Sequence, residues 1–138
     1  MDLIVLDAGV LIAILDAHDA HHDAARQELA TYRDRGDRLV IPASAYAEIL
    51  VAAFRQSPET SATIDEFLDA LPATVEPASR EIGRRAAEFR ARHGSRLRLP
   101  DALVAATGIV LNADRVLTTD ARWPEVGVRV HVVGESAG

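Results

Sequence analysis

The stretch LIVLDAGVLIAIL, Leu3 to Leu15, sets a single acid, Asp7, between two apolar runs. Leu3 to Leu6 is short and wholly apolar, the pattern of a buried strand. From Ala8 to Asp16 the chain stays apolar, and with Gly9 behind the strand it reads as the start of a helix. An ionised carboxylate in such surroundings is costly unless something pairs with it. The partner would be a helix N-terminus, an arginine or a metal ion.

Outward from this stretch the chain alternates strands with helices. Asp19 to Arg35 carries Ala24, Ala25, Leu29 and Tyr32 at helical spacing and is broken by Gly36-Asp37. Arg38 to Ile41 is a second strand ended by Pro42. Ser44 is the expected N-cap of a helix to about Gln56. Ser57 and Pro58 open another, as N-cap and first helical residue, running to about Leu71. Ala73 to Glu76 is a third strand, Ser79 to His93 an arginine-rich helix closed by Gly94, and Pro100 begins a helix ending near Asn112. Val116 to Thr118 and Val128 to Val133 are the last two strands. This alternation predicts an α/β fold with a largely parallel sheet. The final ESAG is expected to fray.

The chain's 138 residues fit one domain, expected to span residues 1–138. Cysteine is absent, which excludes disulfides, thiolate metal sites and cysteine nucleophiles and suits a reducing cytoplasm. No run reaches the ~18 apolar residues of a membrane span, and the acidic start MDLIVLDAG is unlike a signal peptide. A soluble, cytoplasmic protein is the expectation. All fifteen basic residues are arginine, so no mechanism needing a lysine is open to it. That counts against a receiver domain, which also clusters acids at strand ends.

The net charge of -6 taken alone argues against a simple nucleic-acid binder. The charge is uneven, however. Ala78 to Arg98 holds seven arginines and two glutamates. The helix bearing Arg84, Arg85 and Arg92 is a candidate for contact with an RNA backbone. It also reads as a solvated face, a set of salt bridges with the acidic remainder, or a dock for an acidic partner. The cluster HDAHHD, His18 to Asp23, has no further ligand pair for zinc and reads as the polar entry of a helix. The five histidines show no arrangement pointing to a catalytic one.

Ligands in open α/β sheets bind beyond the carboxyl ends of the strands. Asp7 ends the first strand and Asp120 follows the fourth, in VLTTDARW. Glu48 lies about one turn into its helix, in IPASAYAEIL, and Asp101 follows Pro100, in RLPDALVAAT. Helical side chains tilt toward the N-terminus, so both can lean toward the strand ends. Without a cation four such acids would repel one another and some would protonate. One or two Mg2+ or Mn2+ ions make the arrangement favourable, because hard oxygen ligands suit them. Each acid also has an ordinary reading. Asp101 would gain roughly 0.3–1 kcal/mol from a helix dipole. Glu48 would face solvent, Asp120 would form a turn, and Asp7 would cap the helix that follows it.

Together, VLDAGVLIAIL, IPASAYAEIL, LPDALVAATG and VLTTDARW resemble, in order and spacing, the four motifs of the PIN domain, specifically the VapC type of toxin ribonuclease. The resemblance spans nearly the whole chain. It implies a three-layer α/β/α fold with a parallel five-stranded sheet of order 3-2-1-4-5. It implies a Mg2+- or Mn2+-dependent endoribonuclease in which Asp7, Glu48, Asp101 and Asp120 form the acidic metal site, supported by Thr118. Asp7, Asp101 and Asp120 are the expected ligands, with Glu48 at a second ion or acting through water. It further implies a structured RNA substrate such as tRNA or rRNA, a cognate VapB-type antitoxin and a homodimer, with apolar surface between Ser44 and Leu71 as part of the interface. Two positions depart from the pattern: Gly9, where Ser or Asn is common, and Trp123, where Phe is commoner. The rival readings are a PIN-fold nuclease for RNA processing or flap cleavage, and a non-enzymatic PIN-like binding module. A flap nuclease would carry a helical insertion that this chain lacks.

Overall fold

A computed structural model describes residues 1–135. The expected fraying of the terminal ESAG therefore falls, beyond Glu135, outside the described residues. The elements in chain order are β1 (Leu3–Leu6), α1 (Ala8–Leu15), α2 (His22–Asp34), β2 (Arg38–Pro42), α3 (Ala43–Gln56), α4 (Pro58–Asp69), β3 (Ala73–Glu76), α5 (Arg80–His93), a 3-10 turn (Gly94–Arg96), α6 (Leu99–Val110), β4 (Arg115–Thr118) and β5 (Val130–Val132).

The five strands form one sheet of order β3-β2-β1-β4-β5, and every pairing is parallel. The crossovers from β1 to β2 and from β2 to β3 run one way across the sheet, and the crossover from β3 to β4 runs the other way. Right-handed connections then put α1–α4 on one face and α5–α6 on the other. The reversal of direction lies between β1 and β4, where the diverging connections leave a crevice at the strand ends. This architecture agrees with the sequence expectation.

Local sequence explains most element ends. Ser57 and Ser79 accept hydrogen bonds from the backbone N–H groups of Thr60 and Ile82, so both act as N-caps. Such caps contribute about 1 kcal/mol each. Ser44 is not the cap of α3. The helix begins at Ala43, directly after β2, and Ser44 lies in its first turn with its Oγ buried and unpartnered. Pro42 sits at the cap position, already extended at φ -57°, ψ 140°, so strand and helix share one joint. Three helices differ from expectation at their ends. α2 starts later than expected because Asp19 turns the chain, accepting from His21 N at 2.8 Å. α4 stops at Asp69 and α6 at Val110, each where a carbonyl-sharing turn follows.

Core packing is close where α6 meets the sheet. Ala102, Ala105 and Ala106 are fully buried there. A Cβ added at Gly108 would come within 2.9 Å of Val116 Cγ2 on β4. Small residues thus let α6 lie close against β1 and β4, which fixes where its N-terminal turn points. On the opposite face α2 is tied to the sheet by polar contacts: Glu28 Oε1 pairs with His131 Nε2 on β5 at 2.8 Å. Arg115 of β4 lies 5.8 Å from the Tyr32 ring centroid. Among the described residues, no helix is long and apolar enough to cross a membrane.

Candidate functional site

Asp7 is the first residue beyond β1 and is only 7% exposed. It is the N-cap of α1: its Oδ1 accepts from Val10 N at 2.9 Å. Its backbone N–H donates to Leu117 O on β4 at 3.1 Å, extending the ladder one residue past the strand. Its Oδ2 accepts from the hydroxyl of Thr118, the fully buried last residue of β4. Thr118 Oγ1 in turn accepts from Asp120 N at 3.1 Å. One hydroxyl therefore connects the acid after β1 to the acid after β4.

No arginine or histidine pairs with Asp7 among the described residues. Burial pushes its carboxyl from the ordinary 3.8 up to about 6; the bonds from Thr118 and Val10 pull the other way, and the charges of Asp101 and Glu48 add to the rise. The helix cap expected as one of its readings is real. It does not balance the burial.

Glu48 stands exposed in the second turn of α3, and Asp101 is half-buried in the first turn of α6. Both carboxyls are raised, mainly by lost solvation. Asp101 raises Glu48 further and Asp120 raises Asp101, while Arg98 lowers both. Asp101 thus raises both Asp7 and Glu48 and is itself raised by Asp120. Asp120 behaves differently. Arg122 Nε donates to its Oδ1 at 3.0 Å and Nη2 to its Oδ2 at 3.3 Å, which holds its carboxyl below the usual range. Its Oδ1 also accepts from Arg122 N at 2.9 Å, so the turn reading of Asp120 is correct as geometry.

The four acids expected from sequence are therefore gathered into one field of negative charge at the crevice between β1 and β4. They do not form a closed cage. Among the described residues no three His, Asp or Glu side chains stand close enough to hold one ion. The donor chemistry still fits Mg2+ or Mn2+. All the groups are hard carboxylate oxygens, and Mg2+ is commonly held by one or two carboxylates with waters and substrate phosphates completing its shell.

Beside Asp101 and Asp120 lies an open cleft of about 290 Å³ whose other walls include Arg96, Arg98, Arg122 and Trp123. Arg84, Arg85 and Arg92 do not line it; they are exposed along α5, with Arg85 3.7 Å from Glu88. Sequence reading missed the basic wall of the cleft. A signal was available for Arg122, two residues after an acid in a strand-end turn, which is where an aspartate turn returns a side chain onto its carboxylate. At Gly9, an added Cβ would come within 2.6 Å of Thr119 Oγ1 and 3.4 Å of Asp7 Oδ1. No histidine bonds to any of the four acids among the described residues.

The PIN domain family model matches residues 4–129 of the chain. Among solved structures, the chain is similar to VapBC2 from Rickettsia felis bound to a DNA fragment from its promoter, at a TM-score of 0.78 and 14% identity over 95% of this chain and 98% of that one. It is similar to DNA-bound VapBC from Salmonella typhimurium at a TM-score of 0.75 and 17% identity, over 96% and 98%. It is also similar to Mycobacterium tuberculosis VapC20, a sarcin–ricin loop cleaving toxin, at a TM-score of 0.68 and 17% identity, over 82% and 86%. At these identities the likeness is one of fold. No curated protein matches the chain.

Proposed function

The chain belongs to the PIN domain family, and from that premise we propose that it is a Mg2+- or Mn2+-dependent endoribonuclease, the VapC-type toxin of a toxin–antitoxin pair, with one domain over residues 1–138. The observation that carries the reading is Asp7. It is a buried carboxylate with no cationic partner among the described residues, raised toward neutrality, in the field of Asp101 and Glu48 at the crevice between β1 and β4. A protein that keeps such a group pays for it in stability, and a divalent cation is the partner that would offset the cost.

Asp7, Asp101 and Asp120 would hold the ion in part through bound waters, with Glu48 at a second ion or acting through water. Bound there, the ion would supply Lewis-acid activation of a water and neutralise charge developing on a phosphodiester. The chain's own residues do the positioning. Thr118 and Val10 fix the Asp7 carboxylate by one donor on each oxygen, so its remaining lone pairs face a set direction. Thr118 also fixes the backbone that carries Asp120. Arg98, close enough to lower both Glu48 and Asp101, offers positive charge to a phosphate entering beside the acids.

Support for the partners comes from the likeness to VapBC complexes and to a toxin that cleaves the sarcin–ricin loop. A VapB-type antitoxin and a structured RNA, tRNA or rRNA, are proposed accordingly, in the cytoplasm. A homodimer is proposed through α3, where Val51 and Phe54 are 49% and 61% exposed.

The test is incubation of the purified protein with total cellular RNA in Mn2+ or in EDTA, alongside Asp101→Asn. Discrete fragments that need the metal and vanish in the variant are expected. Fragments that persist in the variant would overturn the site assignment, and no cleavage of any RNA pool would favour a binding module on the same fold.

A further inference from the structure

The cleft beside Asp101 and Asp120 has a construction of its own. Its basic wall is the segment joining α5 to α6. Leu97 in that segment is 1% exposed and anchors it in the core, so Arg96 and Arg98 on either side are left exposed. The segment is also clamped from α5. The Arg90 guanidinium donates to Gly94 O and, at 2.9 Å, to Leu97 O. Gly94 makes the turn at φ 56°, a conformation glycine adopts without strain. Arg96 and Arg98 are therefore carried on a fixed backbone, and neither makes an ion pair among the described residues. Arg122, by contrast, is already spent on Asp120.

Trp123 also lines the cleft. Its Nε1 is buried without a hydrogen-bond partner, so the part of the indole that the cleft meets is ring carbon. An indole beside two guanidinium groups that make no ion pair among the described residues is the combination that holds unpaired nucleotides: aromatic contact with the base, charge on the phosphate. At about 290 Å³ the cleft is at the small end of small-ligand sites, which typically run from ~300 to 1,000 Å³. It admits one nucleotide-sized group and not a duplex.

We infer that this cleft seats a single unpaired nucleotide of the RNA, its phosphate on Arg96 and Arg98 and its base against Trp123, next to the acids. The inference rests on the ribonuclease reading and sharpens it. The substrate must present an unstacked residue, from a loop, bulge or single strand, at the cleavage site. A base inside a helix has both faces covered by its neighbours and cannot reach the indole.

Trp123 is the sole tryptophan of the chain, so tryptophan fluorescence reports on this one wall of the cleft, and the arginine variants tie the signal to the Arg96–Arg98 side. The experiment titrates the whole protein, in EDTA to prevent cleavage, with a short unstructured oligoribonucleotide and with the same strand annealed to its complement. The single strand is expected to quench Trp123 saturably and the duplex to leave it unchanged. Arg96→Ala and Arg98→Ala should each reduce the slope of log affinity against log salt by about one. Trp123→Leu, followed by anisotropy, should weaken single-strand binding roughly ten-fold or more, with Trp123→Phe restoring most of it. A circular dichroism melt of each variant shows that the fold is kept. Equal quenching by duplex, or an unchanged salt slope in both arginine variants, overturns the subsite. Metal-dependent cleavage without quenching overturns it too and leaves the nuclease reading standing. Quenching without cleavage of any RNA does the reverse.

Discussion

The Thr118 hydroxyl donates to Asp7 Oδ2, joining residues 111 positions apart in sequence across the β1–β4 boundary. Thr118 Oγ1 itself accepts from Asp120 N. Replacing Thr118 with Val keeps the shape and removes both bonds. It leaves a buried carboxylate oxygen and a backbone N–H unpaired, at a cost of about 1–3 kcal/mol. Urea unfolding should show that loss, while Thr118→Ser should recover most of it. Equal midpoints for Thr118→Val and the wild type would show that the bond contributes nothing.

Asp7 makes stability depend on pH in a defined direction. Its folded pKa of about 6 lies above the ordinary 3.8. A raised pKa means that folding favours the protonated form. The contribution of Asp7 is then fully present below 3.8 and is lost as pH rises through 6. In EDTA, Asp7→Asn should gain on the wild type across that window, by up to about 3 kcal/mol, and the gain should level off above neutrality. Asparagine offers one acceptor where the carboxylate offered two, so the slope of the difference is the readout rather than its height. Parallel stability curves for the two proteins between pH 4 and pH 7 would contradict the burial argument.

Site and strands differ in how far the sequence disclosed them. A lone acid inside an apolar run is conspicuous, and so are the acids of IPASAYAEIL and LPDALVAATG, each set among alanines. Their convergence follows once the strand order is known. Ser44 misled because a serine near a helix start ordinarily caps it; here Pro42 ends the strand and the helix begins at once. β5 is shorter than its valine-rich sequence suggests: it spans only Val130–Val132, with Val128 and Val133 buried on either side and Val133 N still donating to Thr118 O at 2.8 Å. The cleft was not legible. Its walls depend on Arg90 reaching back to two carbonyls and on Arg122 folding onto Asp120, side-chain contacts that leave no periodicity in the sequence.

Gly9 is held by contact rather than by backbone conformation. A Cβ there would sit 2.6 Å from Thr119 Oγ1. Gly9→Ala should therefore destabilise by about 1–2 kcal/mol through overpacking. Thr119→Ala removes the obstructing oxygen, so the double variant should recover much of the loss. A double-mutant cycle by thermal unfolding reads the coupling, and additive effects would mean that the threonine simply turns aside.

Cation binding has a readout that does not involve RNA. Mn2+ bound to the native acids stabilises by mass action, so the thermal midpoint should climb with Mn2+ concentration. The climb should be much reduced in Asp101→Asn, which removes the acid that raises both Asp7 and Glu48. An equal climb in both proteins would place the cation elsewhere.

The reach of the Asp7–Thr118 bond also bears on timing during synthesis. Asp7 leaves the ribosome 111 residues ahead of its partner Thr118, and Asp120 follows two residues later still. Until β4 is added to the sheet, the carboxylate has neither its second donor nor its neighbouring acid. A chain stopped short of residue 118 carries Asp7, Glu48 and Asp101 without the strand that aligns them. The alignment of these acids therefore waits until β4 is made, however early Asp7 itself appears.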